Sequence, residues 1–396
     1  MLLSLALIMI LGLAIGQLFE KIHLPRLIGM LAVGIILGPY VLNLLDSSIL
    51  DISSDLREIA LIIILIKAGL ALNIKDLKKV GRPAILMSFL PACFEILGIV
   101  IFAPLLLGIT YAEAALIGAV LGAVSPAVVV PKMVTLMEEG RGTDKSIPQL
   151  ILAGASLDDV FVIVLFGVFC GMVQGVGFSA VSFIDIPVSI IFGIVIGALI
   201  GILAAFIFGK IHMRDSVKVI IVIGISFALV AFENFIANYV AFSGLIAVMT
   251  MACFIQIRKP IVAERLSKKF SKLWVVAEIM LFVLVGAAVD IRYAVGTGFI
   301  IIGLIFIGLL FRTVGVFVSM IKTDLSFKER IFCTIAYIPK ATVQAAIGAV
   351  PLAMGLPIGQ LVLTVAVVSI LLTAPLGALG IDLSSKKFLS IAKRQI

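Results

Sequence analysis

The chain has 396 residues, of which 63% are hydrophobic and 13% charged, with a formal net charge of +8. Soluble domains carry about 45–50% apolar and about 25% charged residues, so the composition excludes a soluble globular protein and predicts an all-α polytopic membrane protein. The basic excess does not mark a nucleic-acid binder, because the charges sit in loops between apolar runs and follow a membrane topology.

In chain order, the apolar runs predict thirteen spans near 2–19, 28–42, 56–72, 83–107, 112–131, 148–173, 186–208, 217–235, 243–257, 273–289, 297–321, 331–352 and 358–380. The first run has no basic segment before it, its first charge being Glu20, which predicts a span rather than a cleaved leader. Apart from Arg57, Lys67, Arg292, Arg312 and Lys340, the 30 lysines and arginines fall in alternate loops. These loops include Lys75, Lys78, Lys79 and Arg82, then Lys132, Arg141 and Lys145, and finally Lys386, Lys387, Lys393 and Arg394. The opposite loops hold Arg57 and Arg292 among the acids Asp46, Asp51, Asp55 and Asp185. The positive-inside rule makes the basic side cytoplasmic, so thirteen spans put the N-terminus outside and the C-terminus in the cytoplasm.

Minor features read simply. Cys93, Cys170, Cys253 and Cys333 lie in apolar runs without metal spacing and are packing residues. His23 and His212 are loop histidines, Lys67 snorkels, and Glu278 is interfacial. Gly193, Gly197 and Gly201 form a small-residue stripe that predicts close helix packing. There is no Walker loop, metal-ligand cluster or nucleophile triad, so the reading is of a transporter without cofactor, driven by an ion gradient and not an enzyme.

The sharpest feature is a pair of adjacent carboxylates, Asp158 and Asp159, about ten residues into the span 148–173. At ~1.5 Å per residue they lie ~15 Å deep, near the middle of a ~30 Å hydrocarbon core. One aspartate there costs roughly 2.5–3.5 kcal/mol even on the lenient insertion scale. The pair therefore reads as a site for a cation, a proton, or each in turn.

Three more ionisable groups lie at similar depth: Glu95, Arg312 and Lys340. Glu95 and Arg312 are each followed, in the next span, by a proline-marked break, Ser125-Pro126 and Pro339-Lys340, at separations of 30 and 28 residues. Corresponding spans are seven apart, an odd offset, so the two copies run oppositely through the membrane as inverted-topology repeats. Proline frees the carbonyl four residues back, and such breaks survive in lipid only where they line protein or a wet cavity. Gly122, Ser125 and Pro131 interrupt one span; Pro339, Thr342, Gln344, Gly348 and Pro351 interrupt the other. Lys340 is placed to neutralise carbonyl ends of the half-helices. Glu95 and Arg312 read as a buried, mainly structural ion pair in which a charge swap should restore part of the stability lost in either single variant.

Successive on a helix, Asp158 and Asp159 point about 100° apart, so one can face the first break. A hard cation such as Na⁺ or Li⁺ takes oxygen ligands, which the two carboxylates, the Ser125 hydroxyl and freed carbonyls near Val124 can supply. Protons compete for the same oxygens, and competition with alternating access suffices for antiport. K⁺/H⁺ exchange is the nearest alternative. A sodium-coupled organic-anion symporter or an ion channel fits the paired aspartates less well.

The segments Leu121–Pro131 (LGAVSPAVVVP), Ser156–Val160 (SLDDV) and Ile338–Gly348 (IPKATVQAAIG), in this order and spacing, resemble the NHA-type sodium/proton antiporters of the second cation/proton antiporter group. The resemblance implies that Asp158 and Asp159 bind the ion and the proton, that Val124 and Ser125 form the unwound stretch with a backbone carbonyl toward the ion, and that Ala155 lines the site. It also implies a Glu95–Arg312 pair, Lys340 as the charge of the second broken helix, and a homodimer in a cell membrane. In such proteins a core, here about 83–173 and 297–380, moves like an elevator against a dimerisation part, here about 1–72 and 186–289. Many electrogenic relatives carry lysine where this chain has Arg312. Arginine does not deprotonate usefully, so two aspartates do not by themselves imply electrogenic exchange here.

Overall fold

The computed structural model describes residues 1–22, 24–71, 80–175, 180–236 and 242–391. His23, Lys75, Lys78, Lys79, Lys393 and Arg394 lie outside the described residues. The chain is almost wholly helical, and among the described residues the isolated bridge between Arg141 and Ile391 is the one strand-like pairing.

The first half contains α1 (Leu2–Lys21), α2 (Arg26–Leu37), α3 (Ser47–Asp51), α4 (Ser53–Ala71), α5 (Arg82–Met87), α6 (Leu90–Leu107), α7 (Tyr111–Gly122), α8 (Pro126–Glu138) and α9 (Ile147–Val173). The second half contains α10 (Ala180–Lys210), α11 (Asp215–Ile236), α12 (Gly244–Arg258), α13 (Pro260–Ala287), α14 (Ile291–Ser319), α15 (Phe327–Ala336), α16 (Thr342–Gly348), α17 (Val350–Ala353) and α18 (Gly359–Phe388). By length and hydropathy, 8 spans are fit to cross a membrane, with shorter apolar helices at Arg26–Leu37, Phe161–Val173, Gly244–Arg258 and Thr342–Ala353. The expected third span is α4, which carries Asp55, Arg57, Glu58 and Lys67.

Local chemistry explains the helix ends near the site. Thr110 and Glu113 form a reciprocal capping box that opens α7, and Ser326 with Glu329 does the same for α15. Gly108 closes α6 in the left-handed region, at φ 66°. The expected span 83–107 is two helices, parted at Ser88 and Phe89. Pro91 has no N–H for the Met87 carbonyl and its ring crowds it, which disfavours a continuous helix there. Arg57, expected in a loop, is buried within α4, and Glu278 is buried within α13. Helix α13 itself begins at Pro260, well before the expected 273. Its first turns carry Glu264 and Lys268 in an i,i+4 ion pair at 2.7 Å, which suits a helix projecting into water.

The chain divides into two compact units, Met1–Ser54 with Lys75–Gly175 and Leu281–Ile396, and Asp55–Ile74 with Val176–Met280. In the second unit α10 packs on α12 through the glycine stripe. A Cβ at Gly193 would come within 2.8 Å of the Ser243 carbonyl oxygen, and one at Gly201 within 2.6 Å of that of Met251. The stripe is thus a helix–helix contact inside the unit. The first unit holds all five mid-membrane charges. In it a cluster of buried apolar side chains, including Met87, Val124, Ala155, Val316 and Tyr337, joins α5, α9, α14 and both broken helices. At one end, Gly142 N–H donates to the Ser390 carbonyl at 2.8 Å and Lys132 pairs with Asp382, tying the α8–α9 loop to the end of α18.

Candidate functional site

The first break follows from where three N–H groups go. In a continuous helix the N–H groups of residues 124, 125 and 126 would satisfy the carbonyls of Val120, Leu121 and Gly122. Here Val124 N–H donates instead to Asp158 Oδ2 at 2.9 Å, Ser125 N–H donates to the Pro339 carbonyl at 2.8 Å, and Pro126 has no N–H. The carbonyls at the end of α7 are left without helical partners, a costly state inside a membrane.

Three buried side chains satisfy them. Gln344 Nε2 donates to the Val120 carbonyl at 3.1 Å and to the Ala123 carbonyl at 2.9 Å. Lys340 Nζ donates to the Leu121 carbonyl. Arg312 Nη1 donates to the Gly122 carbonyl at 2.5 Å. The freed carbonyls that the sequence offered as ion ligands are therefore occupied from Val120 to Ala123. At Val124 it is the N–H that faces an aspartate.

The second break mirrors this arrangement. Helix α15 ends at Ala336 and the chain runs through Tyr337–Ala341 before α16. The Tyr337 carbonyl accepts from Arg312 Nε at 2.8 Å, and the Pro339 carbonyl takes Ser125 N–H. Lys340 N–H donates to Thr373 Oγ1 at 3.0 Å, which anchors the break on α18. Each broken helix thus satisfies main-chain groups of the other, at one crossing.

The structure brings the five charges together as one connected set. Glu95 lies 2.7 Å from Arg312 through Oε2 and 2.7 Å from Lys340 through Oε1. Arg312 Nη2 also reaches Asp158 Oδ2 at 3.0 Å. The expected Glu95–Arg312 pair is therefore part of a chain running Lys340–Glu95–Arg312–Asp158, with all four side chains buried. The Arg312 guanidinium lies over the Tyr337 ring, 5.5 Å from its centroid. Asp159 is also buried, and among the described residues it has no cation within salt-bridge distance.

Several buried oxygens in this region make no hydrogen bond to the described residues: Asp158 Oδ1, Asp159 Oδ1, Ser125 Oγ, Thr342 Oγ1 and Gln344 Oε1. Buried polar atoms are otherwise nearly always paired, so this group of oxygens suits a hard cation or a proton. Ala155 is buried one turn ahead of Asp159 and packs in the apolar cluster with Val124 and Tyr337, where it presents no ligand atom. Three participants were not picked out as site residues from sequence: Gln344, Tyr337 and Thr373. Gln344 was visible only as a polar residue in a broken span. The other two act through a main-chain carbonyl and a hydroxyl, which leave no pattern in sequence.

Over residues 4–383 the sequence matches the family described as sodium/hydrogen exchanger, transmembrane. It is 33% identical over 390 residues to sodium/hydrogen exchanger 9B2 of Homo sapiens, covering 94% of this chain and 71% of that protein. To human sodium/hydrogen exchanger 9B1 it is 31% identical over 354 residues, covering 85% and 67%. Among solved structures, the sodium proton antiporter MjNhaP1 from Methanocaldococcus jannaschii at pH 8 superposes with a TM-score of 0.84 at 23% identity, covering 97% of each chain.

Proposed function

The chain belongs to the sodium/hydrogen exchanger family, as an NHA-type transmembrane antiporter, and from this we propose that it exchanges one Na⁺ or Li⁺ for one proton at Asp158 and Asp159 by alternating access. Like its family, it is a transporter that needs no cofactor, and the ions are its substrates. The observation that carries the proposal is the charge count of the buried set. Arg312 and Lys340 offset Glu95 and Asp158, which leaves Asp159 as the one carboxylate without a cation among the described residues. One bound monovalent cation, or one proton, completes that balance, and the two cannot both do so. The two species thus compete, and the exchange is electroneutral because the loaded carrier has the same charge with either.

The ligands in this reading are Asp158 Oδ1, Asp159 Oδ1 and Ser125 Oγ, supported by their lack of protein partners. Val124 contributes by holding the other Asp158 oxygen, and Ala155 by leaving room one turn away. The moving core is assigned to about 83–173 and 297–380, which contain every charge of the set, and the dimerisation part to about 1–72 and 186–289. A homodimer in the cell membrane, with thirteen crossings, the N-terminus outside and the C-terminus in the cytoplasm, completes the proposal. Its orientation is supported by the basic loops.

The test is a pH-jump assay in proteoliposomes with Na⁺, Li⁺ or K⁺ and the membrane potential clamped or imposed. Asp158→Asn and Asp159→Asn are expected to abolish Na⁺-driven proton movement while leaving the protein folded. Full exchange in both variants would refute the two-carboxylate site. A rate set by the imposed potential would refute one-for-one exchange. Preferential exchange of K⁺ would select the alternative cargo.

A further inference from the structure

Gln344 stands apart from the rest of the crossing. It is buried, uncharged and outside the ion-pair chain, yet its amide bridges the Val120 and Ala123 carbonyls, the outer pair of the four at the end of α7. Lys340 and Arg312 hold the inner pair, at Leu121 and Gly122. The carbonyl end of a half-helix carries partial negative charge and naturally attracts cations. Neutral carbonyl groups suit a large, weakly hydrated ion such as K⁺, whereas a small hard ion gains more from carboxylates. Four contacts from three side chains close this end here.

We propose that Gln344 is a specificity-determining residue, which excludes K⁺ by withholding the Val120 and Ala123 carbonyls and so leaves the transported cation to oxygens near the aspartates. This deepens the antiport reading above and rests on it. Gln344 acts as a positioning residue. Its amide nitrogen is committed to carbonyls, and it directs the ion by what it makes unavailable. Ala123 immediately precedes Val124, whose N–H holds Asp158. An uncapped Ala123 carbonyl would therefore offer an extra oxygen one residue from the proposed site. Lys340 and Arg312 cannot serve as the discriminating group, because replacing either one also breaks the ion-pair chain through Glu95.

The experiment measures half-saturating Na⁺, Li⁺ and K⁺ concentrations in proteoliposomes for wild type, Gln344→Met and Gln344→Asn. Methionine keeps the length of the side chain and removes both donors together with the unpartnered Oε1, whereas asparagine keeps an amide oxygen. The shorter asparagine cannot bridge both carbonyls. In Gln344→Met the K⁺-to-Na⁺ ratio of half-saturating concentrations is expected to fall by roughly fivefold, the change that one hydrogen bond's worth of free energy produces. Gln344→Asn should move part-way. A ratio equal to wild type in both variants, even with slower turnover for every ion, would overturn the inference and leave Gln344 a purely structural cap. If only Gln344→Asn folds, its ratio decides alone. Wild-type exchange that responds to neither Na⁺ nor Li⁺ would instead refute the antiport reading, so the two failures are distinguishable.

Discussion

Exchanging the charges of Glu95 and Arg312 tests whether the buried set acts as a pair or as a chain. For an isolated pair, Glu95→Arg combined with Arg312→Glu should recover much of what either single change loses. In the structure Glu95 also lies 2.7 Å from Lys340, and Arg312 lies 3.0 Å from Asp158. The swap would set a guanidinium against the Lys340 ammonium and a carboxylate against Asp158. At ~4 Å and an effective dielectric of about 20, each like-charge contact costs about 4 kcal/mol. Neutralising one partner of a buried pair costs about 3–5 kcal/mol. The double variant is therefore expected to be no more stable than Glu95→Gln or Arg312→Gln. Cys333 is a buried free thiol in the same unit, so in a background with Cys93, Cys170 and Cys253 replaced, a thiol-reactive dye during heating reports the melting of this core. A swap that melts clearly above both Glu95→Gln and Arg312→Gln would show that Glu95 and Arg312 pair in isolation, against the chain described above.

Two further predictions concern one contact in each of the two units. Glu329 is mostly buried. Burial alone would raise its pKa, but hydrogen bonds from Lys145 and Ser326 outweigh this and hold the carboxyl below its ordinary value of 4.5. Its stabilising contribution is thus complete above that value and disappears as pH falls through the lower folded one. Glu329→Gln should cost about 1–2 kcal/mol at neutral pH, the range of a lost cap and charged hydrogen bond, and almost nothing in strong acid. Equal loss at both pH values in thermal melts would contradict this. Gly201→Ala should force α10 from α12 and cost about 1–3 kcal/mol, because its Cβ would meet the Met251 carbonyl oxygen at 2.6 Å. An unchanged melting point would mean that the helices separate at no cost.

Hydropathy and proline made much of this architecture legible. Ser125-Pro126 and Pro339-Lys340 announced the two breaks, because there proline stands beside a polar or charged residue at corresponding places in the two copies. The break at Ser88 and Phe89 stayed hidden. Pro91 lies about two turns into the expected span, and prolines also sit inside unbroken helices, as Pro104 and Pro375 do here, so Pro91 alone marked no break. Depth in the membrane was readable from residue number, which is why Glu95, Asp158, Arg312 and Lys340 could be grouped. Azimuth and reach were not. Whether Arg312 meets Glu95 alone or Asp158 as well depends on the rotation of α14 and on a guanidinium with donors on two sides. Gln344 shows the same limit, since its amide bonds main-chain groups more than 200 residues away that have no side-chain signature.

The bond from Ser125 N–H to the Pro339 carbonyl joins two main-chain segments, and this makes that tie invisible to alanine scanning. Replacing Ser125 or Pro339 with alanine leaves both bonded atoms present. Ser125→Ala is therefore a clean probe of the hydroxyl alone, since any change in ion affinity it causes cannot come from a severed crossing. Cutting that tie requires a change to the backbone itself, such as an ester in place of the amide at residue 125.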